Sequence, residues 1–262
     1  MGVHELALLK TELSDRDLAI VRQVADLRLM TARQIEAVHF GAERHTSPLT
    51  AARTCRRVLE RLVEQRVLAR LQRRIGGVRA GSASFVYALG PLGQRVLHLE
   101  GGRRRLGEPS ALFVAHTLSI ADVVVALTTA ATQDRCDVLE LEAEPACWRL
   151  FGDIGGRQVL RPDLFVSLGV EAYECRWFVE VDRGTESVPA VLRKCRQYVA
   201  YYRSGVEQGR HGVFPRVCWL VPDERRVERI TDTISGALGS DERLFTVAVV
   251  GEVVGTLCGG VA

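Results

Sequence analysis

The sequence predicts an α/β chain in two parts: three short helices closed by a β-hairpin, then a helix, three strands, a helix and a strand. Three observations predict it. Helix-start signals at Ser14, Thr31 and Ser47-Pro48 precede apolar residues at helical spacing, and two strand-like runs then flank a glycine-rich tip. Charge is unevenly divided, with 19 Lys+Arg against 11 Asp+Glu in residues 1–108 and 16 against 21 in the remainder. Two acidic runs, Arg161-Pro162-Asp163 and Glu180-Val181-Asp182, sit at the ends of the strand-like stretches Leu164-Phe165-Val166 and Trp177-Phe178-Val179.

Bulk properties bound the answer. The chain has 262 residues, 47% of them hydrophobic, which suits one large domain or two modest ones with a packed core. Seven cysteines, an odd number with no C-x-x-C pair, argue against a disulfide frame or a zinc site and read as reduced, core-filling thiols of a cytoplasmic protein. His4 and Glu5 interrupt the opening apolar run, unlike a signal peptide. No stretch is read as reaching the ~18 apolar residues of a membrane span, so no membrane is expected as a partner. There is no phosphate loop, G-x-G-x-x-G or nucleophile elbow to suggest a small-molecule sensor.

Residues 1–100 form the first predicted domain. Ser14 caps a helix with Asp15 and Asp17 in its first turn and Leu18, Val21, Val24 and Ala25 along its inner face. Thr31 caps a second, with Ile35 and Val38 inward and Gly41 closing it. The third starts at Ser47-Pro48 and runs to about Gln65, with Ala52, Cys55, Leu59 and Leu62 as its buried stripe and Arg53, Arg56, Arg57 and Arg61 pointing outward. Val67 to Leu71 and Phe85 to Leu89 are two strands around the turn at 76–82. Three helices followed by a hairpin resemble a winged helix-turn-helix. A recognition helix of that kind fits the DNA major groove, and Arg73, Arg74 and Arg79 on the wing would reach the backbone or minor groove. The bland reading of the same arginines is a solvated basic face.

Residues 101–109, with Arg103, Arg104 and Arg105 between glycines, read as a linker. Residues 110–262 form the second predicted domain. Ser110 opens a long apolar helix, about Ala111 to Thr132, in which His116, Ser119 and Asp122 share a face, read first as a His–Asp hydrogen bond that packs the helix and otherwise as the edge of a site. Strands follow at 137–142, 162–168 and 173–181, with a turn at 152–156. A helix runs from Ser187-Val188-Pro189 to about Arg203, a strand covers 216–221, a helix about 225–238, and a last strand 245–249.

Carboxylates at the ends of adjacent strands repel unless a cation lies between them, and a divalent ion is the usual reason for the arrangement. This order, with Pro162-Asp163 and Glu180, resembles the PD-(D/E)xK (restriction-endonuclease-like) nuclease superfamily. The closer similarity, over nearly the whole chain, is to the replication-relaxation family of plasmid and mobile-element proteins, carried by the winged helix, the Pro-Asp strand, Glu180 to Thr185 and a helix bearing Lys194 and Tyr198. The resemblance implies that Asp163 and Glu180 bind metal, Mg2+ or Mn2+. The superfamily lysine two residues after the second acid is Asp182 here. Since alternate strand residues share a face, Asp182 is expected to join the site as a third carboxylate, and Lys194, with Arg183 as a second candidate, to supply the missing positive charge.

Two readings follow. In the first, the chain binds double-stranded DNA and cleaves or nicks it in replication or DNA transfer, with Asp163, Glu180, Asp182 and Lys194 as catalytic residues. In the second, it is a non-catalytic replication or transcription regulator. A degenerate nuclease fold then serves to form a homodimer or dock replication or transfer proteins, and Arg161, Arg183 and Lys194 neutralise the acids.

Overall fold

A computed structural model describes residues 3–41, 47–75, 84–98, 109–153 and 156–259. The chain is mixed α/β and divides into two compact units, Met1–Val125 and Ala126–Ala262. The division falls inside a long helix, whereas the predicted linker at 101–109 lies, but for its last residue, outside the described residues.

The first unit begins with α1 (Val3–Glu12) and α2 (Asp15–Leu27), followed by the short strand β1 (Leu29–Thr31). Next come α3 (Ala32–His39), α4 (Pro48–Glu64), β2 (Leu68–Ile75), β3 (Ser84–Leu89) and α5 (Pro91–Val96). The predicted caps form. Ser14 and Thr31 each close a capping box, with Asp17 and Gln34 at the third helical position, and the Ser47 hydroxyl accepts from Thr50 N before the Pro48 turn. Two details differ from the sequence reading. Phe40 rather than Gly41 closes α3, and the inner stripe of α4 runs through Ala51, Cys55, Val58, Leu59 and Leu62, one residue off at its start. β1 went unforeseen because three residues show no periodicity. It is visible only through its pairing, Leu29 to Ala88 and Thr31 to Val86, on the outer edge of β3. The antiparallel sheet order is β1-β3-β2. The hairpin tip with Arg79 lies outside the described residues, and Arg73 and Arg74 fall on β2.

The long helix α6 (Ala111–Thr132) has the predicted bounds. It corrects one expectation: it is long and apolar enough to cross a membrane, although Ser, Thr and His residues break up the run in sequence. Part of its apolar surface packs within the protein, while Leu112 and Phe113 are exposed. Val114 and Leu118 join Leu29, Val86 and Ala88 in one core cluster, and Ala121, Val123, Val124 and Leu127 are buried. In the polar stripe, Asp122 accepts from Gln34 Nε2 at 2.6 Å, and the same amide donates to Leu118 O at 2.9 Å. A buried glutamine thus ties α3 to α6. Ser119 donates to Ala115 O.

The second unit continues with β4 (Asp137–Ala143), the hairpin β5 (Arg149–Asp153) and β6 (Gly156–Leu160), β7 (Leu164–Val170), β8 (Tyr173–Val181) and α7 (Val188–Ser204). Then come α8 (Val206–His211), β9 (Arg216–Val221), α9 (Glu224–Leu238), β10 (Phe245–Val249) and α10 (Val253–Cys258). Five strands form a mixed sheet ordered β10-β9-β8-β7-β4, in which β4, β7 and β8 are antiparallel and β8, β9 and β10 parallel. Each parallel step is a strand–helix–strand crossover through α7 or α9, as parallel pairing requires. The hairpin β5–β6 fills what the sequence suggested was a plain turn. One sheet face, carrying Phe165, Phe178, Val217, Trp219 and Val221, packs against Val191, Cys195, Tyr198 and Tyr201 of α7 and Ile230 and Ile234 of α9. Six of the seven cysteines are buried and all are free; burial pushes the Cys55, Cys195 and Cys218 thiols up to about 12, so they pack as neutral side chains.

Candidate functional site

The register of the second sheet brings three acids into one row. Ala143 pairs with Leu164 and Leu164 with Val179, so the next position along each strand is Glu144, Asp163 and Glu180. Residues level with one another on neighbouring strands share a face, and this is the face of Phe165 and Phe178, covered by α7. Pro162 cannot donate to a ladder, so the row sits where β7 begins. The Asp163 carboxylate is 6% exposed and its Oδ2 accepts from Val181 N at 2.7 Å, which fixes its orientation across to β8. Carboxylate oxygens of Glu144 and Asp163 come within 4.8 Å of each other. Sequence reasoning missed Glu144. It lies just past β4, before Pro145, where strand alternation no longer signals direction. The exposed Arg161 guanidinium stacks over the Trp148 ring at 4.8 Å.

Glu180 is the centre of the row. It is 1% exposed, and α7 satisfies both its oxygens: Lys194 Nζ forms an ion pair with Oε2, and Tyr198 OH donates to Oε1 at 2.5 Å. Lys194 and Tyr198 lie four residues apart and so on one helix face. Burial pushes the Glu180 carboxyl up to about 8, with the Asp163 charge adding to the rise and Lys194 and Tyr198 opposing it. Burial works against the Lys194 ammonium, but the charges of Glu180 and Asp163 outweigh it and hold its pKa above the usual lysine value. Burial and the Glu180 charge raise the Tyr198 phenol well above its ordinary value, so it is a donor at neutral pH. Lys194 also stands out by rarity, since it and Lys10 are the only lysines in the chain.

Asp182 behaves differently from the sequence expectation. It shares a face with Glu180, but it lies past the end of β8 and its carboxylate is committed elsewhere. Arg226 of α9 reaches Oδ2 with Nε at 2.8 Å and a terminal nitrogen at 2.6 Å, while Gly184 N donates to Oδ1 at 2.8 Å. Arg183 is exposed on the same connection. Asp182 is therefore tied to α9 and to its own loop, while the carboxylate oxygens that approach within 4.8 Å of each other are those of Glu144 and Asp163. Carboxylate oxygens such as these are the ligands Mg2+ or Mn2+ take, whereas both Glu180 oxygens are engaged by Lys194 and Tyr198.

In the first unit, Arg53, Arg56 and Arg57 are exposed along α4. Arg61, expected to face outward with them, turns to the cap of α2 and donates to both Asp17 oxygens at 2.8 Å. Asp17 is buried, and burial pushes its carboxyl up, but the bonds from Arg61 and Ser14 outweigh this and hold it below the usual value.

No curated protein and no solved structure matches the chain significantly. The family model described as replication-relaxation matches residues 21–217, from α2 through the start of β9 and so across the helical unit, the acid row, Lys194 and Tyr198. The chain belongs to the replication-relaxation family.

Proposed function

We propose that this chain is a DNA-binding protein of a plasmid or mobile element, acting in replication or DNA transfer, whose second unit cleaves phosphodiester bonds with Mg2+ or Mn2+. The observation that carries this reading is the grouping of Glu144, just past β4, Asp163, just before β7, and Glu180 on β8, the last met by Lys194 from the following helix. Three antiparallel strands, a helix and a parallel strand support a PD-(D/E)xK-type unit. In the first unit, helix, short strand, two helices and a hairpin, in that order, support a winged helix-turn-helix. Its recognition helix is α4, which offers Arg53, Arg56 and Arg57 to double-stranded DNA.

The roles follow from the geometry. Val181 N–H holds Asp163 in position, and Asp163, Glu144 and Glu180 would hold the cation. A bound cation supplies a more acidic water and charge neutralisation at the phosphate. Lys194 keeps positive charge beside the acids, where it orients an attacking water or stabilises the charge that builds on phosphorus oxygens.

The test is conversion of supercoiled plasmid to nicked circles with Mg2+ or Mn2+, expected in the natural chain and lost in Asp163→Ala. A preparation that binds DNA but cleaves no supercoiled, linear or single-stranded substrate with either ion overturns the cleavage reading. The engagement of both Glu180 oxygens favours a second reading, a non-catalytic regulator whose second unit forms a homodimer or docks replication proteins. In that case Asp163→Ala leaves DNA binding and biological activity intact.

A further inference from the structure

We infer that Asp182 and Arg226 are a positioning pair: their buried ion pair closes the 182–187 connection so that α7 delivers Lys194 to Glu180. The Asp182 side chain is fully buried and that of Arg226 is 11% exposed. Four bonds converge on this short connection. Arg226 Nε and a terminal nitrogen hold Asp182 Oδ2, the same terminal nitrogen donates to Glu186 O at 2.6 Å, and Gly184 N donates to Asp182 Oδ1. Asp182 N is itself tied to Leu220 O of β9 at 2.9 Å. Gly184 has a φ of +77°, a left-handed value that lets the backbone turn back onto Asp182. Immediately afterwards Ser187 caps α7, and Lys194 lies two turns into that helix. One side of the connection thus carries Glu180 and the other Lys194, and the guanidinium fork from α9 sets the distance between them. The fork suits this task because its planar donors fix direction as well as charge.

The inference deepens the proposed function, since it assigns Asp182 to alignment rather than to metal, but its first test does not depend on cleavage. Lys194 and Lys10 are the chain's two lysines, so acetylation of the full chain by an N-hydroxysuccinimide ester, read peptide by peptide, gives Lys194 reactivity with Lys10 as internal reference. Arg226→Ala is expected to raise the Lys194-to-Lys10 labelling ratio by about tenfold, the response to a modest local loosening. Asp182→Asn, which keeps an acceptor for Gly184 N–H, raises it less and serves if the arginine variant does not fold. Tryptophan emission monitors folding, because Trp148, Trp177 and Trp219 all lie in the second unit. An unchanged ratio in folded variants overturns the inference. A second arm titrates Mn2+ alone. Asp182→Asn is expected to bind it as the natural chain does while Asp163→Ala does not. Loss of Mn2+ binding in Asp182→Asn, with labelling unchanged, would instead make Asp182 a ligand and overturn the positioning role. If the natural chain binds no Mn2+, the metal reading fails while the labelling still decides the alignment. Where cleavage is measurable, Arg226→Ala lowers kcat and leaves KM for DNA unchanged.

Discussion

Glu180 and Asp182 stand two residues apart at one end of β8 and are both buried, yet they are held in opposite ways. Arg226 grips Asp182 with a two-nitrogen fork, whereas Glu180 meets a single ammonium, Lys194, and a phenol, Tyr198. The difference teaches how this chain uses its cations. It has 33 arginines and two lysines. Asp17, Glu142 and Asp182 are each held by an arginine, and the acid at the centre of the row is held by a lysine. A guanidinium stays charged at any working pH and locks geometry, while an ammonium is a compact charge that can swing towards water or phosphate. On this division arginine would mark the carboxylates that keep their partners, and Lys194 a partner that can be exchanged.

The sharpest way to break this comparison is to remove each cation in turn. Arg226→Ala leaves the buried Asp182 without its cation, and breaking a buried pair from one side costs about 3–5 kcal/mol. Urea unfolding followed by tryptophan emission reads the second unit directly, and an unchanged midpoint would mean that the fork contributes nothing. Lys194→Met should cost less at pH 6, about 1 kcal/mol, the net worth of an ordinary hydrogen bond, because Glu180 can answer by keeping a proton and its bond from Tyr198. The cost should grow as pH rises beyond about 8, where Glu180 of the natural chain ionises beside Lys194 while the variant's carboxyl, without that cation, holds its proton to higher pH. The same unfolding curves at pH 6 and pH 9 check both.

Linkage sharpens the comparison from the side of the acid. The Glu180 carboxyl is raised from 4.5 to about 8 in the folded chain, so the folded state binds its proton more tightly than the unfolded state. Its contribution is fully present below pH 4.5 and is lost as pH climbs towards 8. Glu180→Gln should flatten stability across that window, as read by unfolding midpoints at intervals of pH. A slope that survives the substitution would assign the proton to another group.

Much of this arrangement was readable from the sequence. α6, β8, β9 and β10 have their predicted bounds, and α7 starts and ends within a residue of prediction, because caps, prolines and long apolar runs are local signals. Asp163, Glu180 and Lys194 were also legible, since two lie at strand ends and the third one helix later. The commitment of Asp182 was not: its partner is 44 residues further along, on a helix whose other face is core, and nothing local distinguishes Arg226 from Arg225. Strand alternation put Asp182 on the correct face but could not say which neighbour would claim it. Glu144 and β1 escaped for a related reason, as register with a neighbouring strand defines each of them more than its own residues do.

The smallest expected effect extends the rule to the first unit. Arg61, with its side chain 39% exposed, donates from one terminal nitrogen to both oxygens of the buried Asp17, which also accepts from Ser14 N and Oγ at the start of α2. If arginines that grip buried acids are structural, Arg61→Ala should weaken the packing of α2 on α4 by only about 1 kcal/mol, given its exposure. Hydrogen exchange of the α2 and α4 amides would read that loss without involving the second unit. Because Asp17 titrates below its ordinary 3.8, this contribution should be present above that pH and lost as pH falls through the lowered value. DNA affinity should keep its salt dependence in Arg61→Ala. By contrast, alanine at both Arg53 and Arg57 should leave amide exchange unchanged and lower the slope of log affinity against log salt by about 2, near 0.9 for each phosphate no longer neutralised. If Arg61→Ala shifted that slope as much as the double variant, the Arg61 pair with Asp17 would have to open to reach phosphate. The division between gripping arginines and exposed ones would then fail in this unit while standing in the other.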